Sequence, residues 1–182
     1  MHRTNLLDRL VEYVERYPEE QAVARLFSEF VTTHDDCFER TCEVGHITGS
    51  AWVVDRSGRR ALLTHHRKLD MWIQLGGHSD GDPDTLNVAK REANEESGLV
   101  ISPVHSDIFD IDRHVIPARK DEPEHFHYDV RFLFQAQSDD FQVTDESFAL
   151  QWVGVDDVSE RTTELSVLRM RTKWLRTMPL VC

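Results

Sequence analysis

Apolar positions early in the chain recur at helical spacing. Over residues 5–31, Leu6, Leu7, Leu10, Val11 and Val14 make one stripe, and after Pro18 a second follows at Ala22, Val23, Leu26, Phe27 and Phe30. Two stripes interrupted by a proline predict a helical hairpin over residues 1–33, an N-terminal extension. Its simplest role is to cover one face of a domain, with a homodimer contact or a substrate lid as further roles open to it. The period then changes. GHITGSAWVVD and RALLTHH are β-rich runs on either side of Arg56-Ser57-Gly58-Arg59, which predicts a hairpin. Trp72-Ile73-Gln74-Leu75 reads as a short strand delivering the chain into a glycine-rich loop at Gly76-Gly77-His78-Ser79-Asp80-Gly81.

Beyond residue 99 the runs 100–104 and 108–116 are strand-like, and Arg119-Lys120-Asp121-Glu122-Pro123 is a polar loop marked by proline. The run 125–137 is the longest strand candidate, and 148–155 is another. Residues 164–178, with Leu165, Leu168, Trp174, Leu175 and Met178, read as a terminal amphipathic helix. Strands before and after a central helix, with a second helix at the end, place the chain in the α/β class.

With 182 residues the chain can build one full domain with a sizeable core, expected over residues 44–180. The 33 acidic against 21 basic side chains give a net charge of −12, which argues against a nucleic-acid polymer as partner and favours a small anionic ligand held through a metal. No apolar run approaches the ~18 residues of a membrane span, and the N-terminus lacks the apolar core of a signal peptide. The cysteines, Cys37, Cys42 and Cys182, form no C-x-x-C pair, and their odd number argues against a disulfide framework. A cytoplasmic protein is expected.

The chemistry concentrates between residues 77 and 99. In REANEESGL, Glu92, Glu95 and Glu96 stand three and four residues apart, so a helix gathers all three carboxylates on one face. Like charges crowded in this way call for a compensating cation, and hard oxygen ligands without thiolates suit Mg²⁺ or Mn²⁺. Without such an ion the same spacing describes a solvated acidic face. Gly98 then reads as a left-handed helix stop, and Asp82-Pro83 as an N-cap followed by proline in the first turn.

These residues resemble the Nudix box, whose pattern is Gly, five residues, Glu, seven residues, then Arg-Glu-apolar-any-Glu-Glu-any-Gly-apolar. Gly77, Arg91, Glu92, Ala93, Glu95, Glu96, Gly98 and Leu99 fall in register, and Pro83 stands where the family has its first Glu. The resemblance implies an α/β/α sandwich around a mixed β-sheet, and a metal-dependent hydrolase that cleaves the diphosphate linkage of a nucleoside diphosphate joined to another group. It places Mg²⁺ or Mn²⁺ on Glu92, Glu95 and Glu96, with a backbone carbonyl of Gly76 or Gly77 added, and gives Arg91 the task of orienting a carboxylate. For the general base it points to a box Glu or to a carboxylate on a later loop. Glu146, ahead of a strand and Trp152, is the first such candidate and Asp129 the second.

Two further groups stand outside the box. His66, Arg67 and Lys68 make a cationic cluster at a strand end, suited to substrate phosphates or simply exposed. On an extended strand His125, His127 and Asp129 alternate, so their side chains share a face. A second, local resemblance, to isopentenyl-diphosphate isomerase, rests on GHITGSAW, GGH and HYDVRF. It implies a separate transition-metal site at His46, His78, His127 and Asp129, although Gly76 stands where that enzyme has its catalytic cysteine. An isomerase-like enzyme and a non-catalytic nucleotide-binding module of the same fold are the alternatives to hydrolysis.

Overall fold

A computed structural model describes residues 3–119, 122–145 and 147–177. Among them five α-helices and eight strands occur in the order α1 (Thr4–Arg16), α2 (Gln21–Thr33), β1 (Gly45–Val54), β2 (Arg60–His66), β3 (Met71–Ile73), β4 (Leu75–His78), α3 (Thr85–Ser97), β5 (Ile101–Pro103), β6 (Asp110–Ile116), β7 (His125–Ala136), β8 (Ser147–Gly154), α4 (Val158–Arg161) and α5 (Leu165–Thr177). All eight strands join one sheet, with the path β3-β2-β1-β7-β5 and with β4 on β1, β6 on β7 and β8 on β2. The α/β class with an N-terminal helical extension is therefore observed. The chain divides into two compact units, one of Met1–Ser50, Gly76–Ala89 and Ser106–Phe132, the other of Ala51–Leu75, Lys90–His105 and Leu133–Cys182.

In the first unit the predicted hairpin forms, but its stripes are rotated. Leu6, Leu10 and Tyr13 of α1 and Ala24, Phe27, Phe30 and Val31 of α2 are buried, while Val11, Ala22 and Leu26 are exposed. The buried face is set by Tyr128 of β7, which stacks on Phe30 at 4.0 Å between ring centroids and meets Phe27 edge-on at 5.2 Å. Each such aromatic pair contributes about 0.5–1.5 kcal/mol beyond its buried area. Arg16 fastens α1 through Asp107 at 2.6 Å and the Ile108 carbonyl at 3.1 Å. β6 pairs with β7 antiparallel, with Asp112 opposite Asp129 and His114 opposite His127.

The second unit is built on β2, which pairs antiparallel with β3 and with β8. Its Ala61, Leu62 and Leu63 are buried, as are Val167 and Met170 of α5. Asp55 organises the predicted turn: its carboxylate accepts hydrogen bonds from Ser57 Oγ at 2.9 Å, the Arg59 amide at 3.0 Å and Arg60 Nε at 2.9 Å, and Gly58 takes φ 71°. Trp174 Nε1 of α5 donates to the Gly58 carbonyl at 2.8 Å. Met178, expected in this helix, lies outside the described residues, as does Cys182. Cys37 and Cys42 are buried free thiols, and burial pushes the Cys37 thiol up to about 12.

The stretch expected as one strand and a long glycine loop is divided differently. Gly76, Gly77 and His78 belong to β4, so the loop proper is 79–84. Gly76 can pair closely with β1 because it has no side chain: a Cβ there would lie 2.6 Å from Ser50 Cα, and its φ is +155°.

Candidate functional site

Helix α3 begins where local polar groups release it. Asp84 Oδ1 accepts from the Asn87 amide at 3.2 Å and is the N-cap, a role expected of Asp82. Asp82 instead accepts from the Asp84 amide at 2.9 Å and from the Asn87 side chain at 2.9 Å, and Pro83 precedes the helix rather than entering its first turn. The first turns lie against β1 at Gly49, where a Cβ would sit 2.8 Å from the Thr85 carbonyl oxygen and 2.9 Å from the Ala89 nitrogen. The helix stops at Gly98, with φ 68° and its amide on the Asn94 carbonyl at 2.8 Å.

In the second unit, the C-terminal half of α3 carries the acidic face. Arg91 Nη1 reaches Glu92 Oε1 at 2.6 Å and Glu95 Oε2 at 3.7 Å, so the guanidinium bridges successive carboxylates. Exposure grades along the face: Glu95 is open to solvent, Glu92 is largely covered, and Glu96 is only 6% exposed. Three carboxylates thus share this face, and the Glu96 carboxylate is the most deeply buried of them. All the donors are hard oxygens, so the donor set suits Mg²⁺ or Mn²⁺.

The cationic cluster at the end of β2 is part of an aromatic platform. Arg67 lies 4.7 Å over the Phe148 ring and donates to the Ser147 carbonyl at 3.2 Å, and His65 stacks on Trp72 at 5.1 Å. His66 Nδ1 accepts from the Leu69 amide at 3.3 Å, while Lys68 is exposed. Glu146 lies outside the described residues.

In the first unit, histidines from three strands converge. His46 of β1, His125 and His127 of β7 each bring a ring nitrogen within 4.8 Å of the others. His78, at the end of β4, has its ring 4.9 Å from that of His46 and 5.0 Å from that of His127. Burial first, then the neighbouring positive charges, lowers His46 and His78 to about 4 and His127 to about 2, so these three imidazoles are neutral at pH 7.

Asp129 shares the strand face but has other partners. Its Oδ1 accepts from Thr48 Oγ1 at 2.9 Å and Ser50 Oγ at 2.7 Å, and its Oδ2 from Arg131 Nε at 2.7 Å. Arg131 also pairs with Asp110 at 3.0 Å and lies 3.6 Å from Asp112. Burial opposes the Arg131 charge, yet these carboxylates hold its pKa above the usual value. His125 thus takes the place among the clustered groups that was expected of Asp129. The alternation along β7 already contained it.

Known proteins bear on these two constellations. A family model described as NUDIX domain matches residues 46–174, well over half of the chain. No curated protein sequence matches. Among solved structures, a NUDIX-family hydrolase from Clostridium perfringens aligns with TM-score 0.56 and 19% identity over 73% of this chain and 98% of its own. The Ap4A hydrolase of C. elegans, as a binary complex, gives 0.56 and 20% over 72% and 98%. A MutT NUDIX hydrolase from Burkholderia pseudomallei gives 0.55 and 22% over 74% and 98%. At these identities the structures speak for the fold, and the family model, covering nearly all of β1 and the whole of α3, shows the family: the chain belongs to the NUDIX-domain family.

Proposed function

We propose that this protein is a metal-dependent hydrolase that cleaves the diphosphate linkage of a nucleoside diphosphate joined to another group. One observation carries the reading: Glu92, Glu95 and Glu96 occupy one helical face with Arg91 bridging two of them, within a matched NUDIX domain. A diphosphate resists water because its own charge repels a nucleophile. Glu92, Glu95 and Glu96 would hold Mg²⁺ or Mn²⁺, which would supply charge neutralisation and activation of water.

The chain's own groups supply orientation and proton transfer. Arg91 fixes the direction of the Glu92 carboxylate, and the helix cap and the Gly98 stop fix the helix that carries both. A box carboxylate takes the proton as a new bond forms between the water oxygen and phosphorus. The bridging oxygen–phosphorus bond breaks, and the leaving phosphate departs with that electron pair. Arg67 and Lys68 offer cations, and His66 a ring N–H, for the substrate's remaining phosphate charge, beside the stacked His65 and Trp72. Cys37 and Cys42, as free thiols, suit the reducing cytoplasm. Among the described residues no helix is long and apolar enough to cross a membrane.

Two observations weigh against the alternatives. Isomerisation needs a cysteine at position 76, and any side chain there meets the β1 backbone at Ser50. A binding module without turnover does not need an intact acidic face. The test is a panel of dinucleoside polyphosphates, ADP-ribose-like and sugar-linked nucleoside diphosphates, and nucleoside triphosphates, with Mg²⁺ or Mn²⁺, reading products by chromatography. Metal-dependent cleavage at a phosphoric anhydride bond of one class is expected. Tight binding of a nucleotide with no cleavage of any would overturn the proposal.

A further inference from the structure

We propose that His46, His78, His125 and His127 form a second metal site, separate from the acidic helix, that binds a divalent transition ion of the Zn²⁺ type. It goes beyond hydrolysis at the carboxylates and does not depend on it. The ligands come from β1, β4 and β7, so an ion here would clasp three strands of the first unit.

The geometry is that of a site rather than of a packed aromatic cluster. His125 is 6% exposed, and its Nδ1 lies 2.8 Å from the Pro123 carbonyl. A carbonyl only accepts, so Nδ1 carries a proton, and Nε2 is the ring nitrogen turned toward the other histidines as a ligand. That Nε2 is buried and makes no hydrogen bond. A backbone carbonyl that fixes the tautomer of a ligating histidine is the usual outer partner in metal sites. His46, 2% exposed, and His127 face each other with their Nε2 atoms 3.1 Å apart, a distance at which at most one of the two can donate. A cation accepting these lone pairs satisfies what the protein groups leave unmet. His114 stands beside His127 at 5.5 Å but is paired with Asp112 at 3.1 Å.

Four imidazole nitrogens without a carboxylate suit Zn²⁺, with Co²⁺ as a spectroscopic substitute, and disfavour Mg²⁺. The surrounding charge is tolerable because Arg40, whose charge acts on His46 and His78, is paired with Asp80. An ion has a way in: an open cleft of about 380 Å³, lined by Arg40, Cys42, Glu43, Glu122, Pro123 and His125.

The experiment uses the full chain without an affinity tag, purified without chelator, in wild type and in a Glu92→Gln, Glu95→Gln double variant that silences the acidic face. Elemental analysis should find about one equivalent of Zn²⁺ in both. After metal removal, titration with ZnCl₂ should raise the melting temperature, and CoCl₂ should give the visible bands of tetrahedral nitrogen ligation. His125→Ala should weaken Zn²⁺ binding by about a hundredfold or more and remove the cobalt bands. If His125→Ala does not fold, His125→Gln gives the same readout with the volume largely kept. Zn²⁺ that disappears with the glutamate double variant and is untouched by the histidine variants would overturn the site. So would the absence of uptake and of any melting shift in wild type.

Discussion

Replacing Arg131 by Met is the sharpest test of how the first unit is held together. The guanidinium is 1% exposed and faces Asp129 at 2.7 Å, Asp110 at 3.0 Å and Asp112 at 3.6 Å. Met matches much of its length but carries no charge, so Asp110, itself fully buried, and Asp129 lose the cation that makes their burial tolerable. Breaking a buried pair by removing one partner costs about 3–5 kcal/mol, because the other charge stays behind. Asp129 keeps the Thr48 and Ser50 hydroxyls, which puts the expected loss toward the lower part of that range. In a chain of this size each kcal/mol moves the melting temperature by roughly 2–4 °C, so a fall of about 6–16 °C is expected. Urea unfolding followed by circular dichroism at pH 7 measures the free energy, and thermal melting checks it. The double variant Asp129→Asn, Arg131→Met should lose less than the sum of the single losses, since the two residues share one interaction. A loss under about 1 kcal/mol, the range of an exposed pair, would refute the reading of Asp129 as the partner of a buried structural cation.

Other outcomes follow from the same geometry. Asp84→Ala should lower stability by about 1 kcal/mol as a lost N-cap, and Asp82→Ala by less, in paired urea titrations; the reverse order would return the cap to Asp82. Gly76→Ala should cost at least about 2 kcal/mol in thermal melting, because its Cβ meets the Ser50 backbone and its φ of +155° strains any other residue. At Asp55 burial pushes the carboxyl up, but hydrogen bonding from Arg60 and Ser57 outweighs it and holds the pKa below 3.8. Its contribution is thus present above that ordinary value and lost as pH falls through the lowered one. The stability gap between wild type and Asp55→Asn should be about 1–3 kcal/mol near neutral pH and should close below about pH 3.8; a gap unchanged at pH 3 would contradict the charge-based account.

The acidic face was legible in the sequence because it is local: helical spacing alone puts Glu92, Glu95 and Glu96 together, and Gly98 marks the stop whatever the tertiary context. The Asp55 turn and the extent of β7 were readable for the same reason. What depended on distant partners was not. Asp129 and His127 do share a face of β7, but the competing claim of Arg131 gains its force from Asp110, a residue of another strand. The α1 and α2 stripes are rotated because Tyr128, about a hundred residues later, decides which side is buried. Gly76 and Gly77 looked like loop residues and proved to be strand, since nothing in a glycine pair announces a neighbour as close as Ser50. His125 belonged to an alternation already visible, but its contact with the Pro123 carbonyl and its convergence with His46 depend on other parts of the chain.

If the carboxylates of α3 carry the proposed hydrolysis, Glu95→Gln exposes it most directly. Glu95 is exposed, so the isosteric amide should leave the melting temperature near that of wild type. On the nucleotide class that wild type cleaves, with saturating Mg²⁺, kcat should fall on the order of a hundredfold or more while the products stay the same. Near-normal turnover of a folded Glu95→Gln protein in Mg²⁺ would contradict the account.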